Sequence, residues 1–195
     1  MALPQSHQPM TEAEYLEFER DSEVKHEFVD GEIYAMAGAS WNHIVIVSNI
    51  NTRLNVELEK SACIAVTNDM KVYVISEKSF RYPDVVVVCG DPIFREGDND
   101  ILTNPTAIFE VISPSTAVID RNDKLDEYFK IPTLQEYLIV WQDEVRVDRF
   151  LRSAERNELR LTKYTNLDTS IELSSLALTL KLSQIYNQVK FKSDQ

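Results

Sequence analysis

The stretch Pro83-Asp84-Val85-Val86-Val87-Val88 constrains this chain more than any other. Four consecutive valines are stiff at χ1 and suit a strand buried on both faces. An ionised carboxylate at the mouth of such a strand is costly unless something offsets its charge. Pro83 has no backbone N–H to give to a ladder, so it belongs at the strand's first position. A second acid recurs in a similar setting, because Glu110 lies inside the apolar run Ala107–Ile112. Two such carboxylates on neighbouring strands would need a shared proton or cation. Paired carboxylates completed by water and a substrate phosphate are a common way to hold Mg²⁺. The plainer alternative is that each acid meets its own base, such as Arg81, or points outward at a sheet edge.

Around that segment the chain reads as one domain over 1–195, with 1–10 a flexible lead and 11–190 an ordered core. Its 195 residues are 44% hydrophobic and 27% charged, enough for a full core without a repeat or low-complexity tract. No apolar stretch approaches the ~20 residues of a membrane span. The start MALPQSHQPM has neither a basic n-region nor an apolar core, so no secretory signal is expected. Cys63 and Cys89 could form one disulfide, but free thiols in a reducing cytoplasm are the expectation. The net charge of −12 argues against a strong non-specific grip on phosphate backbones. Arg146–Lys163 is locally basic, with six bases against three acids, and a solvated strand face is favoured there over a binding arm.

Local patterns place the elements. Residues 10–22 predict a short helix, with Thr11 and Glu14 forming a capping box. HEFVDGEIYAM (26–36) predicts a hairpin turning at Asp30-Gly31. A long helix over 41–60 would bury Ile44, Val47, Leu54 and Leu58. The runs 65–75 and 81–89 predict two strands paired antiparallel about the turn SEKS. Further strands are expected at 107–113 and 136–141, with a helix between them capped by Asp120 and ended by Pro132. RVDRFLR and ELRLTKY predict a peripheral meander, followed by a leucine-rich strand and a short helix within 171–190. This order is an α+β, or mixed α/β, fold: a central mixed sheet flanked by helices, with an N-terminal hairpin and extra C-terminal antiparallel strands.

Asp120, Lys124 and Tyr128 recur at i, i+4 and i+8 and so share one helix face. That face could deliver an ammonium beside Glu110, or it could carry an exposed pair of little consequence. The ordered set Tyr82-Pro83-Asp84, Glu110-Val111-Ile112-Ser113-Pro114-Ser115, then Asp120, Lys124 and Tyr128, resembles the PD-(D/E)XK nuclease superfamily. More narrowly, it resembles the bacterial Uma-type (Uma2) family of restriction endonucleases. The similarity extends to Glu27-Phe28-Val29-Asp30-Gly31-Glu32, Asn42-His43 and the tail ELSSLALTLKLSQIY.

The resemblance implies a restriction-endonuclease-like core in which Asp84 and Glu110 are metal ligands, with Mg²⁺ as cofactor and Mn²⁺ as a substitute. It also implies DNA as substrate. In the superfamily pattern a lysine stands two residues after the acid, a position held here by Ile112. Lys124 is then the migrated lysine, with Lys71 in reserve and Asp69 a further candidate ligand beside it. Glu27 resembles the extra acid that an N-terminal element supplies, and an exposed strand residue is the equal alternative. Retained fold with weak or no catalysis, as a nucleic-acid- or protein-binding module, is the rival implied by Ile112. A cytoplasmic homodimer without membrane attachment is expected, since cutting both strands takes two sites. His7, His26 and His43 lack zinc-ligand spacing with the cysteines, and His43 reads as a packing or capping residue. No G-x-S-x-G, GxGxxG or P-loop motif occurs.

Overall fold

The computed structural model describes residues 9–67, 69–113, 117–153 and 158–191, and the side chains of 117–122 lie outside that description. The expectation of a flexible lead over 1–10 therefore falls almost wholly outside the described residues. In chain order the elements are α1 (Glu12–Asp21), β1 (His26–Val29), β2 (Glu32–Ala35), α2 (Trp41–Leu58), β3 (Cys63–Thr67) and β4 (Lys71–Val74). They continue with β5 (Ser79–Arg81), β6 (Val85–Cys89), β7 (Ile101–Leu102), β8 (Ala107–Ile112), α3 (Ala117–Tyr128) and β9 (Glu136–Trp141). The chain closes through β10 (Val147–Arg152), β11 (Leu159–Tyr164), β12 (Ser170–Leu173), β13 (Leu178–Lys181) and α4 (Leu182–Ile185).

These strands build a mixed α+β architecture. A six-stranded sheet runs β11-β10-β9-β8-β6-β3, a five-stranded sheet runs β2-β1-β5-β4-β7, and β12 pairs with β13 alone. Only the β8–β9 and β4–β7 pairings among these are parallel. The Thr11–Glu14 capping box opens α1, satisfying two donors that the first turn leaves without partners. Asp30 and Gly31 both take positive φ, 50° and 82°, as a two-residue type I′ turn between β1 and β2 requires. A side chain at 31 would also collide with Pro9, because a Cβ there would lie 2.8 Å from the proline Cβ.

The valine run resolves a larger feature. The expected antiparallel partners are correct, but each long run breaks in two. β3 pairs with β6 in the six-stranded sheet, whereas β4 pairs with β5 in the five-stranded one. The break between β5 and β6 falls at Tyr82-Pro83-Asp84, where the proline cannot donate to a ladder. The chain thus steps from one sheet to the other at Asp84. Val85 and Val87 then pack into the core beneath α2, and Val86 and Val88 into the core beside Tyr128.

Three local expectations are corrected. The buried stripe of α2 is Ile46, Ile50, Leu54 and Leu58, while Ile44 is half exposed on another side and Val47 is partly buried. α3 begins at Ala117, so Asp120 lies within the helix and is not its N-cap; its side chain is outside the described residues. Cys63 and Cys89 are not free thiols but a disulfide. Their 26-residue separation hides that they are direct cross-strand partners in the β3–β6 register. The solvated face expected over 146–163 is found on β11, where Arg160 and Lys163 are exposed, but not on β10: Arg146 and Arg149 spend their charge on the buried Asp148 and Glu136, and Arg152 donates to main-chain carbonyls. Among the described residues no helix is long and apolar enough to cross a membrane.

Candidate active site

β6 and β8 are antiparallel neighbours with Val85 opposite Phe109, so the register carried one step further sets Asp84 opposite Glu110. Both acids are buried, and both line an open cleft of about 300 Å³. The cleft wall also includes Glu27 from β1, His43 from α2, Lys124 from α3 and the uncharged segment from Ala35 to Ser40. The elements β1, α2, β8 and α3 thereby each bring one titratable side chain to Asp84, where the chain crosses between sheets.

Each carboxylate is held by named donors. The Val111 N–H donates to Asp84 Oδ2 at 2.7 Å, and His43 Nε2 lies 2.9 Å from Asp84 Oδ1. Lys124 Nζ donates to Glu110 Oε1 at 3.3 Å and to Glu27 Oε1 at 2.9 Å. The Tyr128 hydroxyl donates to the same Glu110 oxygen at 3.1 Å. Burial, reinforced by the Glu110 and Glu27 carboxylates, pushes the Tyr128 phenol well above its ordinary value, so it serves as a neutral donor. Ile112, two residues past Glu110, packs in the apolar core with Tyr128 and Ile139. An ammonium at that position would be buried among hydrocarbon, whereas Lys124 arrives from α3 along the wall of the cleft.

Glu27 is not an exposed strand residue. Burial alone would raise its carboxyl, but the Lys124 and Arg81 cations outweigh that and hold it below the usual value of 4.5. A group depressed in the folded state contributes stability that is complete above its unfolded value and lost as pH falls through the folded value. Wild-type protein should therefore exceed a Glu27→Gln variant in urea midpoint at neutral pH. The gap should close as the pH drops below the ordinary carboxylate range. A gap that persists undiminished at acid pH would remove Glu27's charge from the account.

The remaining candidates go elsewhere. Lys71 pairs with Asp100 and lies 5.6 Å over the Tyr82 ring, lining a separate cavity with Glu19 and Asp98. It is not a substitute for the ammonium at Glu110. Asp69, on an exposed turn, pairs with Lys25. Arg81 does not neutralise Asp84 or Glu110 either: its guanidinium joins Glu27 at 2.9 Å and grips Glu127 through Nε at 3.1 Å and Nη2 at 2.5 Å. Two site residues were missed from the sequence. His43 follows the Ser40 N-cap of α2, and its reach to Asp84 spans 41 residues of sequence. Glu127 carries no motif signal beyond its place beside Tyr128.

Among the described residues no three His, Cys, Asp or Glu side chains form a ready-made metal cage. The donor set nevertheless fits a hard divalent ion. Mg²⁺ takes one or two carboxylates and completes its shell with water and substrate phosphate, and Asp84 and Glu110 are such a pair. Asp84 suits this, because each carboxylate oxygen has two lone-pair sites, and the Val111 N–H engages one on Oδ2 while His43 Nε2 faces Oδ1.

Comparisons with known proteins bear on the family and the fold. The model of the Uma2 family, described as "Putative restriction endonuclease", matches residues 12–183. The uncharacterized protein sll1609 of Synechocystis is 36% identical over 169 residues, covering 87% of this chain and 95% of that protein. A second Synechocystis protein, slr1290, is 35% identical over 178 residues, covering 91% and 92%. The crystal structure of a "putative nuclease belonging to DUF820" from Anabaena variabilis superposes with a TM-score of 0.77 at 18% identity. That match covers 93% of this chain and 100% of the other, and it shows a common fold. With a family model spanning α1 to α4 and relatives aligned along nearly their whole length, the chain belongs to the Uma2 family of restriction-endonuclease-type proteins.

Proposed function

We propose that this protein is a metal-dependent endonuclease that hydrolyses DNA phosphodiester bonds, with Asp84 and Glu110 as the metal-holding pair and Lys124 as the catalytic ammonium. The observation that carries this reading is the approach of Lys124 Nζ to Glu110, 3.3 Å, in a cleft that Asp84 also lines. When held by Asp84 and Glu110, Mg²⁺, or Mn²⁺ in its place, supplies an acidified water and neutralises charge on the phosphate. The chain's own groups do the remainder. Lys124 offers a donor to a phosphate oxygen or to the attacking water as charge builds there. Tyr128 keeps Glu110 turned toward that lysine, and the Val111 N–H and His43 fix the Asp84 carboxylate. Asp120 lies one turn before Lys124 on the same helix.

The test is plasmid nicking in Mg²⁺, then in Mn²⁺, by wild-type protein and by Asp84→Ala purified in parallel. Cutting by the wild type alone supports the assignment. Equal cutting by both preparations marks a contaminating nuclease and ends it. DNA binding without cutting would instead leave a nuclease-fold binding module. Cleavage of both strands further calls for two sites, and a symmetric homodimer would provide them.

A further inference from the structure

Lys124 is backed by a chain of buried charges whose far members, Arg81 and Glu127, the proposed reaction does not itself use. Lys124 Nζ rests on Glu27 Oε1 at 2.9 Å, and the other oxygen of Glu27 accepts from Arg81 Nη1 at 2.9 Å. The opposite side of the Arg81 fork is closed on Glu127, which also accepts from the Ser79 hydroxyl. Arg81 and Glu127 are each less than a tenth exposed, and neither belongs to the cleft wall. Neither can therefore touch a substrate.

We propose that Arg81, anchored by Glu127 and Ser79, is a positioning residue that sets the pose of Lys124 through Glu27. This rests on the nuclease reading of the site. A lysine has a flexible four-carbon stem and a compact charge, so one carboxylate contact leaves it many poses. A guanidinium is a rigid planar fork, and one that grips two carboxylates fixes their relative placement. Arg81 stands three residues before Asp84 on the crossover between sheets, and Glu127 stands three residues after Lys124 on α3. The same fork therefore ties the strand end that carries Asp84 to the helix that carries Lys124. Stability alone does not explain the arrangement, because apolar side chains can replace a buried ion pair at no loss of stability.

The experiment follows from that last point. In the full-length variant Ser79→Ala/Arg81→Met/Glu127→Leu the Arg81–Glu127 pair is replaced by hydrocarbon, and Glu27 loses its Arg81 contact while it keeps its bond to Lys124. The expected result is a folded protein with a thermal midpoint lowered by the loss of the Arg81–Glu27 contact, and kcat for plasmid nicking about 10- to 100-fold lower. KM and Mg²⁺ binding should be unchanged. Lys124 should also become more reactive toward an amine-acylating reagent, scored by mass spectrometry against the half-exposed Lys130 as internal reference. The conservative variant Glu127→Gln, which keeps the shape and a hydrogen bond to Arg81, should show a smaller shift in the same direction.

A stable triple variant with wild-type kcat and a protected Lys124 would overturn the proposal. Should the triple variant not fold, unchanged kcat and unchanged Lys124 reactivity in Glu127→Gln would overturn it equally. Acylation does not depend on turnover. A wild-type protein that cuts no DNA would sink the nuclease reading, while the acylation ratio still decides whether Arg81 positions Lys124.

Discussion

Asp84→Asn is expected to lower Mg²⁺-dependent plasmid nicking by about 10³-fold while the folded structure persists. The estimate follows from the several kcal/mol that a bound metal contributes at a phosphoryl transition state, each 1.36 kcal/mol being tenfold. Asparagine retains the volume of the aspartate and an oxygen that can accept the Val111 N–H, so the crossover should keep its geometry. What it removes is the charge opposite Glu110. Glu110→Gln should act in the same way, and the double variant should be scarcely worse than either single one, because residues serving one unit are not additive. Circular dichroism and calorimetry with Mg²⁺ separate the two effects. Loss of nicking with retained fold and lost metal binding supports the assignment, and metal binding unchanged in Asp84→Asn would contradict it.

Arg149→Met should produce the largest loss of stability. Glu136, the first residue of β9, is fully buried, and its Oε2 accepts from Arg149 Nε at 2.9 Å. Its other oxygen accepts from the Ser175 N–H at 2.8 Å, which ties the six-stranded sheet to the turn between β12 and β13. Removing the arginine leaves an anion buried without its pairing cation, a change that costs about 3–5 kcal/mol. Urea unfolding would show this as a lowered midpoint at constant slope. Glu136 pairs with Ala107, whereas Glu110 pairs with Ile139 farther along β8, so the damage is centred away from the cleft. A change of under about 1 kcal/mol would mean that the pair is screened by solvent as surface pairs are.

The legible parts of this molecule are those where a local pattern has a local cause. The Thr11–Glu14 box, the Asp30-Gly31 turn and the strand Glu136–Trp141 stand where the sequence places them. Their determinants are hydrogen bonds and dihedral preferences within a few residues. The acids Asp84 and Glu110 were legible for a related reason, since a carboxylate in a valine-rich or isoleucine-rich strand is conspicuous wherever the strand goes. Lys124 and Tyr128 were legible through helical spacing together with the family resemblance.

What failed to show depends on partners far away in the chain. His43 reads as a helix-start residue until Asp84 is brought against it, and Arg81 reads as a neutraliser of Asp84 until its fork is seen on Glu27 and Glu127. The disulfide is likewise a matter of register, because nothing local distinguishes two free cysteines from two that face each other across β3 and β6. Even the α2 stripe was misjudged at Ile44, where the choice of face belongs to the sheet beneath and not to the helix.

The sequence by itself determined that two acids would sit in buried strands, that a proline would interrupt the ladder before one of them, and that a lysine and a tyrosine would share a helix face. Tertiary structure alone decided that the interruption is a crossing between sheets, and that this crossing opens a cleft onto which His43, Glu27 and Lys124 converge. The physical reason is range. Backbone dihedrals and caps act over about one turn of chain, whereas the cost of a buried charge is settled by whichever partner the whole fold delivers.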